Sequence, residues 1–411
     1  MKRTLRLSAI LCGMMLLTAT CKKSETVIVT DTMQQQLQQL VNTNLAAYKL
    51  LYPGYPGGLA MQVISNKGTW FVSAGMGEGI TNQIHFRAGS NTKTLTSTAI
   101  LLLYQQGKLD INKKITDTIP GTQMPYIPAT PEYNIPFKSS IMILDLLRHR
   151  AGVFDVSNNP VPDTVSEPVP YKGQNYLDYV TASDPEHTFT FDELVNVDAV
   201  CRLYNFPPGT SYHYSNTGYS LLGKIIERVS GKPYQEFLME DVMKPSGMVN
   251  SSMPVLGTDR SIPAPFATGY TLTSDTILNS TISNMSANVA EGNLITTPDD
   301  LSRFLLQLLS GKGVLTTHTV NAVMMNCLPT EGGTNANYGC GLTYTNNLGY
   351  GHSGAHEGYL SLMVCDPNSG LTIVIFTNTL NFSNGSTSVM DQLFSLLENT
   401  CYQAKGIEIQ N

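Results

Sequence analysis

The strongest chemical signal in the sequence is a serine followed three residues later by a lysine, Ser90 and Lys93, at the start of a strongly apolar segment. On a helix, residues i and i+3 share a face, so the two side chains would meet. A serine hydroxyl becomes a good nucleophile only when a base takes its proton, and burial lowers the pKa of a lysine amine towards that task. We therefore predict that Ser90 is a nucleophile and Lys93 its base. This spacing is expected about once by chance in a chain of this length, so the prediction needs further support.

A second motif, Tyr214-Ser215-Asn216, carries a phenol and an amide two residues apart. A phenol can accept the proton of a nucleophile and pass it to a leaving group, and an amide side chain can both donate to and accept from a substrate amide. The alternative is an ordinary helix N-cap, with Asn216 or Thr217 opening the helix beyond it. A rival Tyr-x-Asn at residues 344–346 lies in a predicted strand, too near the third motif to come from a separate wall of a cleft.

The third motif is His352-Ser353-Gly354, with a further glycine before it. Glycines allow a strand edge to approach a ligand closely, His352 can bind a carboxylate, and Ser353 can donate a hydrogen bond to it. Backbone N–H groups of such a strand can complete an oxyanion hole. The alternative is a loop histidine beside a glycine turn. His352 and His356 lie in a strand and turn with no further ligands nearby in the sequence, so we expect no metal site.

Strands that could hold these motifs are predicted at both ends of the chain, because apolar residues there alternate or form short β-branched runs bounded by turn residues. The predicted strands span residues 59–64, 70–74, 84–86, 341–344, 359–364 and 371–377. A helical pattern opens at Asp31, and another closes the chain at residues 389–397. We expect the later strands to belong to one antiparallel sheet.

The middle of the chain is predicted to be mostly helical. Residues 99–103 are apolar all round, which indicates that the helix predicted over residues 90–106 is buried inside the protein. Other helical patterns cover residues 143–148, 191–203, 219–229 and 298–309. Residues 155–188 are rich in Pro, Asn, Ser and Asp and indicate a long loop or insertion. The simplest organisation is an α/β domain from residues 21–88 and 312–411, with residues 89–311 as a mostly helical domain.

Residues 1–20 have the composition of a targeting segment. Three cations among the first six residues precede an apolar stretch at residues 7–17, which is too short to span a membrane as a mature helix. The segment ending at Cys21 resembles a bacterial lipoprotein signal, which implies that Cys21 is lipidated and becomes the new N-terminus. Thr20 departs from the Gly, Ala or Ser usual at that position, and the alternative is an ordinary secretory signal.

Composition narrows the classes of function. The chain has 411 residues, of which 42% are hydrophobic, so it can bury a large core. Its formal net charge is −6 and no basic cluster occurs in its body, which argues against nucleic acid as a partner. Of seven cysteines, five remain once Cys12 of the signal and Cys21 are set aside, so at least one thiol must be free. Their spacings match no metal site.

In order, Ser90-x-x-Lys93, Tyr214-x-Asn216 and His352-Ser353-Gly354 resemble the signature motifs of the serine β-lactamase and penicillin-binding protein superfamily. The resemblance is to class C β-lactamases, D-alanyl-D-alanine carboxypeptidases and related esterases, and it covers about residues 58–400. Flanking segments agree at residues 86–89, 107–110, 145–149, 207–210 and 351–355. The fold that this implies is α+β, with a five-stranded antiparallel sheet flanked by helices plus a mostly helical domain.

The resemblance also implies a role for each matching residue. Ser90 would be acylated, Lys93 would be the base, Tyr214 the proton relay and Asn216 a contact to the substrate amide. The third motif and the next residue, His352, Ser353, Gly354 and Ala355, would bind substrate, and the N–H groups of Ser90 and Ala355 would form the oxyanion hole. His352 stands where a lysine is more common in β-lactamases, and a neutral imidazole holds a carboxylate less firmly than an ammonium.

The function that follows is acyl transfer to water through an acyl-enzyme, without a cofactor. The leading expectation is a D-alanyl-D-alanine carboxypeptidase-like peptidase on peptidoglycan-type peptides, at the periplasmic face of a bacterial membrane and anchored through Cys21. One alternative is a β-lactamase or esterase that uses the same residues. Another, of a different class, is a low-turnover protein that binds peptidoglycan or a partner. The sequence leaves the substrate, the oligomeric state and any disulfide pairing open.

Overall fold

The fold is organised around an antiparallel sheet to which both ends of the chain contribute. The computed structural model describes residues 32–274, 276–330, 337–383 and 387–411, so the predicted signal segment and Cys21 lie outside the described residues. The helices are α1 (Thr32–Leu51), α2 (Thr92–Gln105), α3 (Ile143–Leu147), α4 (Tyr176–Thr181), α5 (Phe191–Cys201), α6 (Asn216–Ser230), α7 (Tyr234–Phe237), α8 (Pro298–Leu309) and α9 (Thr387–Gln410).

The strands include several of only two or three residues. They are β1 (Leu59–Ser65), β2 (Gly68–Ala74), β3 (Phe86–Arg87), β4 (Tyr270–Leu272), β5 (Ile277–Asn279), β6 (Ile295–Thr296), β7 (Leu328–Pro329), β8 (Asn337–Tyr338), β9 (Thr343–Thr345), β10 (Gly349–His356), β11 (Tyr359–Cys365), β12 (Thr372–Thr377) and β13 (Thr379–Asn381). Within the part of the chain that the structure describes, no helix is long and apolar enough to cross a membrane.

The main sheet has the strand order β2-β1-β12-β11-β10-β9-β8-β7 within the described residues, and its pairs are antiparallel. The expectation of an antiparallel sheet flanked by helices is confirmed. The expected number of five strands is wrong, because β7, β8 and β9 extend the five long strands to eight. β9 overlaps the strand predicted at residues 341–344, whereas β7 and β8 have two residues each and are too short to show the alternation by which a sequence predicts a strand.

Alternation along the long strands divides the sheet into two buried faces. In β1, Leu59, Met61 and Val63 pack in one core with α1 and α9, whereas Ala60 belongs to the other core and Gln62 donates to Ser302 of α8 at 2.8 Å. Side chains of a strand point alternately to its two faces, so both faces must be covered. The sheet is therefore sandwiched between α1 with α9 on one side and α8 with the helical middle on the other.

The helical middle is built around α2, whose residues from Thr92 to Leu103 are all buried. The second core contains Leu101 of α2, Ile225 of α6 and Phe376 of β12, so the helices and the sheet share it. Residues Thr32–Asn411 form one compact unit. The division into two domains with boundaries near residues 88 and 312 stays a prediction.

The segment 155–188, which the sequence indicates to be a long loop, is a folded wall that contains α4. Val156, Val161 and Val165 are buried against Val197 and Cys201 of α5. Asn175 caps α4 by accepting hydrogen bonds from two backbone N–H groups. The apolar residues that anchor this wall are too widely spaced in the sequence to show a helical or strand period.

Candidate active site

Ser90 lies in a tight turn between β3 and α2, pressed against strand β10. Residues Gly89–Asn91 form one turn of 3-10 helix, and Gly89 has φ +52°, a left-handed conformation that favours glycine. A Cβ atom on Gly89 would lie 2.5 Å from the Ala355 carbonyl oxygen, and one on Gly354 would overlap the Ala88 carbonyl. The two glycines thus allow the third motif to approach the nucleophile turn at backbone contact distance.

The amine of Lys93 is completely buried and lies within hydrogen-bond distance of the Ser90 hydroxyl. Its Nζ is 3.1 Å from Ser90 Oγ, 2.7 Å from Asn216 Oδ1, 2.9 Å from the Glu291 carbonyl oxygen and 3.1 Å from Glu291 Oε2. Burial lowers the pKa of Lys93, and the nearby Glu291 carboxylate partly opposes that shift. The structure therefore brings the predicted nucleophile and base together.

Tyr214 lies beside this pair, with its ring centroid 4.7 Å from Lys93 Nζ. Its hydroxyl oxygen is buried and makes no hydrogen bond of normal geometry with the described residues. Burial raises the pKa of Tyr214 well above its ordinary value, and the proximity of Ser90 lowers it in part. The resting phenol is therefore neutral, and it lies close to the hydroxyl whose proton it would relay.

Helix α6 begins with Ser215 as its N-cap, and the Ser215 hydroxyl accepts from Gly218 N at 3.1 Å. The motif is therefore also the helix N-cap that the alternative expected, with Asn216 as the first residue of the helix. Because Ser215 caps the helix, the Asn216 side chain is free to bind Lys93, and it also lines the cleft in front of Ser90. In this arrangement Asn216 accepts a hydrogen bond from the Lys93 amine, while its expected contact to a substrate amide stays a prediction.

His352 is buried and both of its ring nitrogens have partners. Its Nδ1 lies 2.5 Å from the Ser353 carbonyl oxygen, so Nδ1 carries the hydrogen, and Nε2 accepts from the Tyr338 hydroxyl at 2.9 Å. Burial, reinforced by the charge of Lys93, lowers the pKa of His352 to about 3. His352 is therefore a neutral imidazole at physiological pH and supplies no positive charge to the cleft.

The remaining residues of the third motif lie along the edge of β10 that faces Ser90. Ser353 and Ala355 line the cleft, and Gly354 packs against Ala88. Ser90 lies on the turn and Ala355 lies on β10, so the two residues belong to the two segments that meet at this contact. An oxyanion hole would need one backbone N–H group from each of these segments. The oxyanion hole itself stays a prediction.

Two buried residues that the sequence did not single out complete the site. Glu291 forms an ion pair with Lys93, and its side chain is 3% exposed. His149 accepts a hydrogen bond from Ser215 N at 3.1 Å and stacks on Tyr214 with ring centroids 4.2 Å apart, so it positions the second motif. His149 has φ +56°, unusual for a non-glycine residue, and in the sequence it belongs only to a flanking segment of the family resemblance.

The cleft in front of Ser90 has a volume of about 1170 Å³, and its walls are polar and apolar in nearly equal measure. The folded wall of residues 155–188 supplies Asn158, Asn175 and Asp178 to one side of it. Arg260 is the single lysine or arginine among the described residues that line the cleft, and it lies 3.6 Å from Glu186. The cleft therefore offers a substrate many hydrogen bonds and little positive charge.

No group of three or more His, Cys, Asp or Glu side chains that could hold a metal ion occurs among the described residues. Cysteines 201, 327, 340, 365 and 401 are all free thiols in the structure. Burial raises the pKa of Cys340 and Cys365 to about 11, so these thiols are unreactive at neutral pH.

A comparison with protein families matches residues 50–388 to a model described as Beta-lactamase. The chain belongs to the beta-lactamase family. Membership of the serine β-lactamase and penicillin-binding protein superfamily, expected from the three motifs, is thereby confirmed.

Curated relatives of this beta-lactamase family chain include Protein flp of Staphylococcus aureus (strain NCTC 8325 / PS 47). The two are 25% identical over 359 residues, which is 85% of this chain and 64% of Protein flp. The chain thus spans less than two thirds of that relative. The putative penicillin-binding protein PbpX of Bacillus subtilis (strain 168) is 24% identical over 338 residues, with 82% of this chain and 72% of PbpX covered.

Among solved structures, the beta-lactamase family chain resembles a D-stereospecific amidohydrolase from Streptomyces sp. The TM-score is 0.68 at 25% identity, covering 84% of this chain and 94% of the other. D-amino acid amidase from Ochrobactrum anthropi SV3, complexed with D-phenylalanine, gives a TM-score of 0.69 at 23% identity, with 92% and 99% covered. The second likeness shows the shared fold.

Proposed function

We propose that the protein is a serine hydrolase that forms an acyl-enzyme on Ser90 and cleaves amide bonds in small compounds containing D-amino acids. The observation that carries this proposal is the buried Lys93 amine 3.1 Å from Ser90 Oγ, beside the neutral phenol of Tyr214. The likeness to a D-stereospecific amidohydrolase supports the substrate class.

The reaction would proceed in two halves. Ser90 Oγ attacks the carbonyl carbon of the substrate while its proton passes to Lys93, and the N–H groups of Ser90 and Ala355 receive the oxyanion. The proton then moves from Lys93 through Tyr214 to the departing nitrogen, the C–N bond breaks and the amine leaves. In the second half, water attacks the acyl carbonyl and gives its proton to the same relay, which returns the proton to Ser90 Oγ.

The charge of the cleft favours a substrate without a free carboxylate beside the scissile bond. A D-alanyl-D-alanine carboxypeptidase must recognise a terminal carboxylate, but His352 is neutral and Arg260 is engaged with Glu186. A D-amino acid amide, or a peptide that continues beyond the scissile bond, makes no such demand. We therefore place amide hydrolysis first.

The carboxypeptidase reaction expected from the sequence is the second candidate. It is favoured by the likeness to PbpX and by the size of the cleft, which is larger than a dipeptide needs. Ser353 on the cleft edge would then have to hold the carboxylate by hydrogen bonding alone.

The test measures ammonia released from D-amino acid amides and D-alanine released from an N-acyl-D-alanyl-D-alanine peptide. The wild type is compared with Ser90→Ala and with Ser310→Ala, an exposed serine outside the cleft, as matched control. We expect amide hydrolysis by the wild type and the control and none by Ser90→Ala. Release of D-alanine without hydrolysis of any amide would contradict this assignment and indicate a carboxypeptidase.

The same three proteins are also incubated with a penicillin, followed by intact mass and by loss of the β-lactam, and with activated esters. Rapid consumption of the penicillin without amide hydrolysis would indicate a β-lactamase. Turnover of activated esters alone would indicate an esterase. Ligand binding that is equal in wild type and Ser90→Ala, with no turnover of any substrate, would contradict the hydrolase and indicate a binding protein.

We also propose, from the sequence of residues 1–21, that the protein is a lipoprotein at the periplasmic face of a bacterial membrane. Metabolic labelling with an alkyne fatty acid is expected for the wild type and not for Cys21→Ala. Equal labelling of both would contradict lipidation at Cys21, and no labelling of either would favour the secreted form.

A further inference from the structure

The amine of Lys93 is surrounded by more hydrogen-bond acceptors than it can satisfy at once. Four oxygen atoms lie within 3.1 Å of Nζ, on Ser90, Asn216 and twice on Glu291. An ammonium has three hydrogens to donate, so it cannot satisfy all four contacts as separate N–H donations. A neutral amine has two hydrogens and one lone pair, so it too serves only three partners at once, and its lone pair can accept the proton that Ser90 must give up.

Glu291 reaches Lys93 from a loop whose own conformation is strained. Ala290 has φ +71°, a left-handed conformation that is uncommon for alanine. The Ala290 carbonyl oxygen accepts from Thr96 Oγ1 at 2.6 Å, and Glu291 Oε1 accepts from Asn288 Nδ2 at 2.7 Å. The first contact holds the backbone just before Glu291, and the second orients the Glu291 carboxylate beside the lysine side chain.

A carboxylate buried to this degree is unfavourable unless a partner compensates for its lost hydration. Among the described residues that partner is Lys93, which is also the group that the proposed reaction needs as a base. A buried carboxylate, a strained backbone residue and two fixed hydrogen bonds thus converge on one catalytic atom. Simple packing of the core would be served better by an apolar side chain at this position.

We propose that Glu291 is a positioning residue that holds the Lys93 amine at Ser90 and sets the pH range over which Ser90 reacts. This inference rests on the proposed role of Ser90 as the nucleophile. When the O–H bond of Ser90 breaks and a new N–H bond forms on Lys93, the Glu291 carboxylate balances the positive charge that appears on the amine. When the proton passes on towards the leaving group, that charge disappears.

The direction of the pH effect follows from the charges that face Lys93. The carboxylates of Glu291 and Asp155 both raise the pKa of Lys93, against the larger lowering by burial. His149 and His352 also face the amine, and burial keeps both imidazoles neutral by lowering the pKa of each. Glu291→Gln retains an oxygen for Lys93 but removes a negative charge, so the lysine should lose its proton at lower pH.

The experiment measures the rate at which a fluorophosphonate probe modifies Ser90, as a function of pH. In this reaction the Ser90 Oγ–P bond forms, the P–F bond breaks with loss of fluoride, and the serine proton passes to Lys93. Because the probe needs no natural substrate, it reports on the nucleophile and its base alone. The proteins compared are the wild type, Glu291→Gln, Glu291→Asp and the exposed control Glu240→Gln, and thermal melting verifies that each is folded.

We expect the acidic limb of the profile to move down by about one to three pH units in Glu291→Gln, the usual effect of removing an opposite charge at this distance. Glu291→Asp should keep the limb near its wild-type position with a slower rate, and Glu240→Gln should match the wild type. An unmoved limb in folded Glu291→Gln, or the same shift in Glu291→Asp, would overturn the inference. A wild type that the probe fails to modify would instead refute Ser90 as the nucleophile and the proposed function with it.

Discussion

Replacing Tyr214 with phenylalanine should separate catalysis from stability, because the hydroxyl that it removes contributes little to the stability of the fold. The oxygen is buried without a hydrogen bond of normal geometry among the described residues. The ring would keep its contact with Lys93 at 4.7 Å and its stacking on His149 at 4.2 Å. A buried polar group without a partner costs about 1–3 kcal/mol, so Tyr214→Phe should unfold at the wild-type temperature or slightly above it.

The effect on the rate should depend on the leaving group. A proton relay contributes about 10²- to 10⁴-fold, which corresponds to roughly 3–5 kcal/mol in the activation free energy. An amide nitrogen must be protonated before it departs, so hydrolysis of a D-amino acid amide should fall by about that factor. p-Nitrophenolate leaves without a proton, and acylation of Ser90 by a p-nitrophenyl ester should fall by less than about tenfold.

The assay compares kcat/KM for both substrates in the wild type and Tyr214→Phe, together with thermal melts. An equal loss on amide and ester would show that Tyr214 serves the attack of Ser90 and not the departure of the leaving group. Unchanged amide hydrolysis would refute the relay altogether. A loss of more than about 2 kcal/mol in the free energy of unfolding would show that the hydroxyl has a structural partner after all.

Two further substitutions test the packing around the site. Gly354→Ala places a Cβ atom against the Ala88 carbonyl, so strand β10 should shift and both the reactivity of Ser90 and the melting temperature should fall. The control Gly406→Ala has open space around the added Cβ atom and should lower neither. Equal behaviour of the two variants would contradict the close approach of Gly354 to Ala88. The carboxyl oxygens of Asp198 are buried without hydrogen-bond partners among the described residues, and burial beside Asp155 raises the pKa of this carboxyl well above 3.8. The contribution of Asp198 to the free energy of unfolding therefore falls as pH rises above about 3.8, by about 1.4 kcal/mol per unit of pKa difference from the unfolded chain. Asp198→Asn should therefore stabilise the protein more at pH 7 than at pH 4 in denaturant titrations. An effect of Asp198→Asn that does not change with pH would contradict this explanation.

The sequence by itself determined the features that depend on local period and residue type. The alternation in residues 59–64 and 371–377 predicts β1 and β12 to within two residues, and the apolar stretch after Ser90 predicts α2. The three motifs predict which side chains meet, because the spacing of Ser90 and Lys93 on one helix is a local property. Even so, α9 extends to Gln410, well past the predicted end at residue 397, because its later turns carry more polar residues on their exposed side.

Only the tertiary structure decided the properties that arise between distant segments. The approach of Gly89 to Ala355 joins residues separated by most of the chain, and no local pattern records it. The burial of Glu291 on Lys93 and the neutral state of His352 depend on how much water the surrounding elements exclude. Desolvation and the distances between charges set these protonation states, and both exist only once the chain has folded. The sequence therefore identifies the groups that can react, and the folded structure sets their protonation states and the orientation of their side chains.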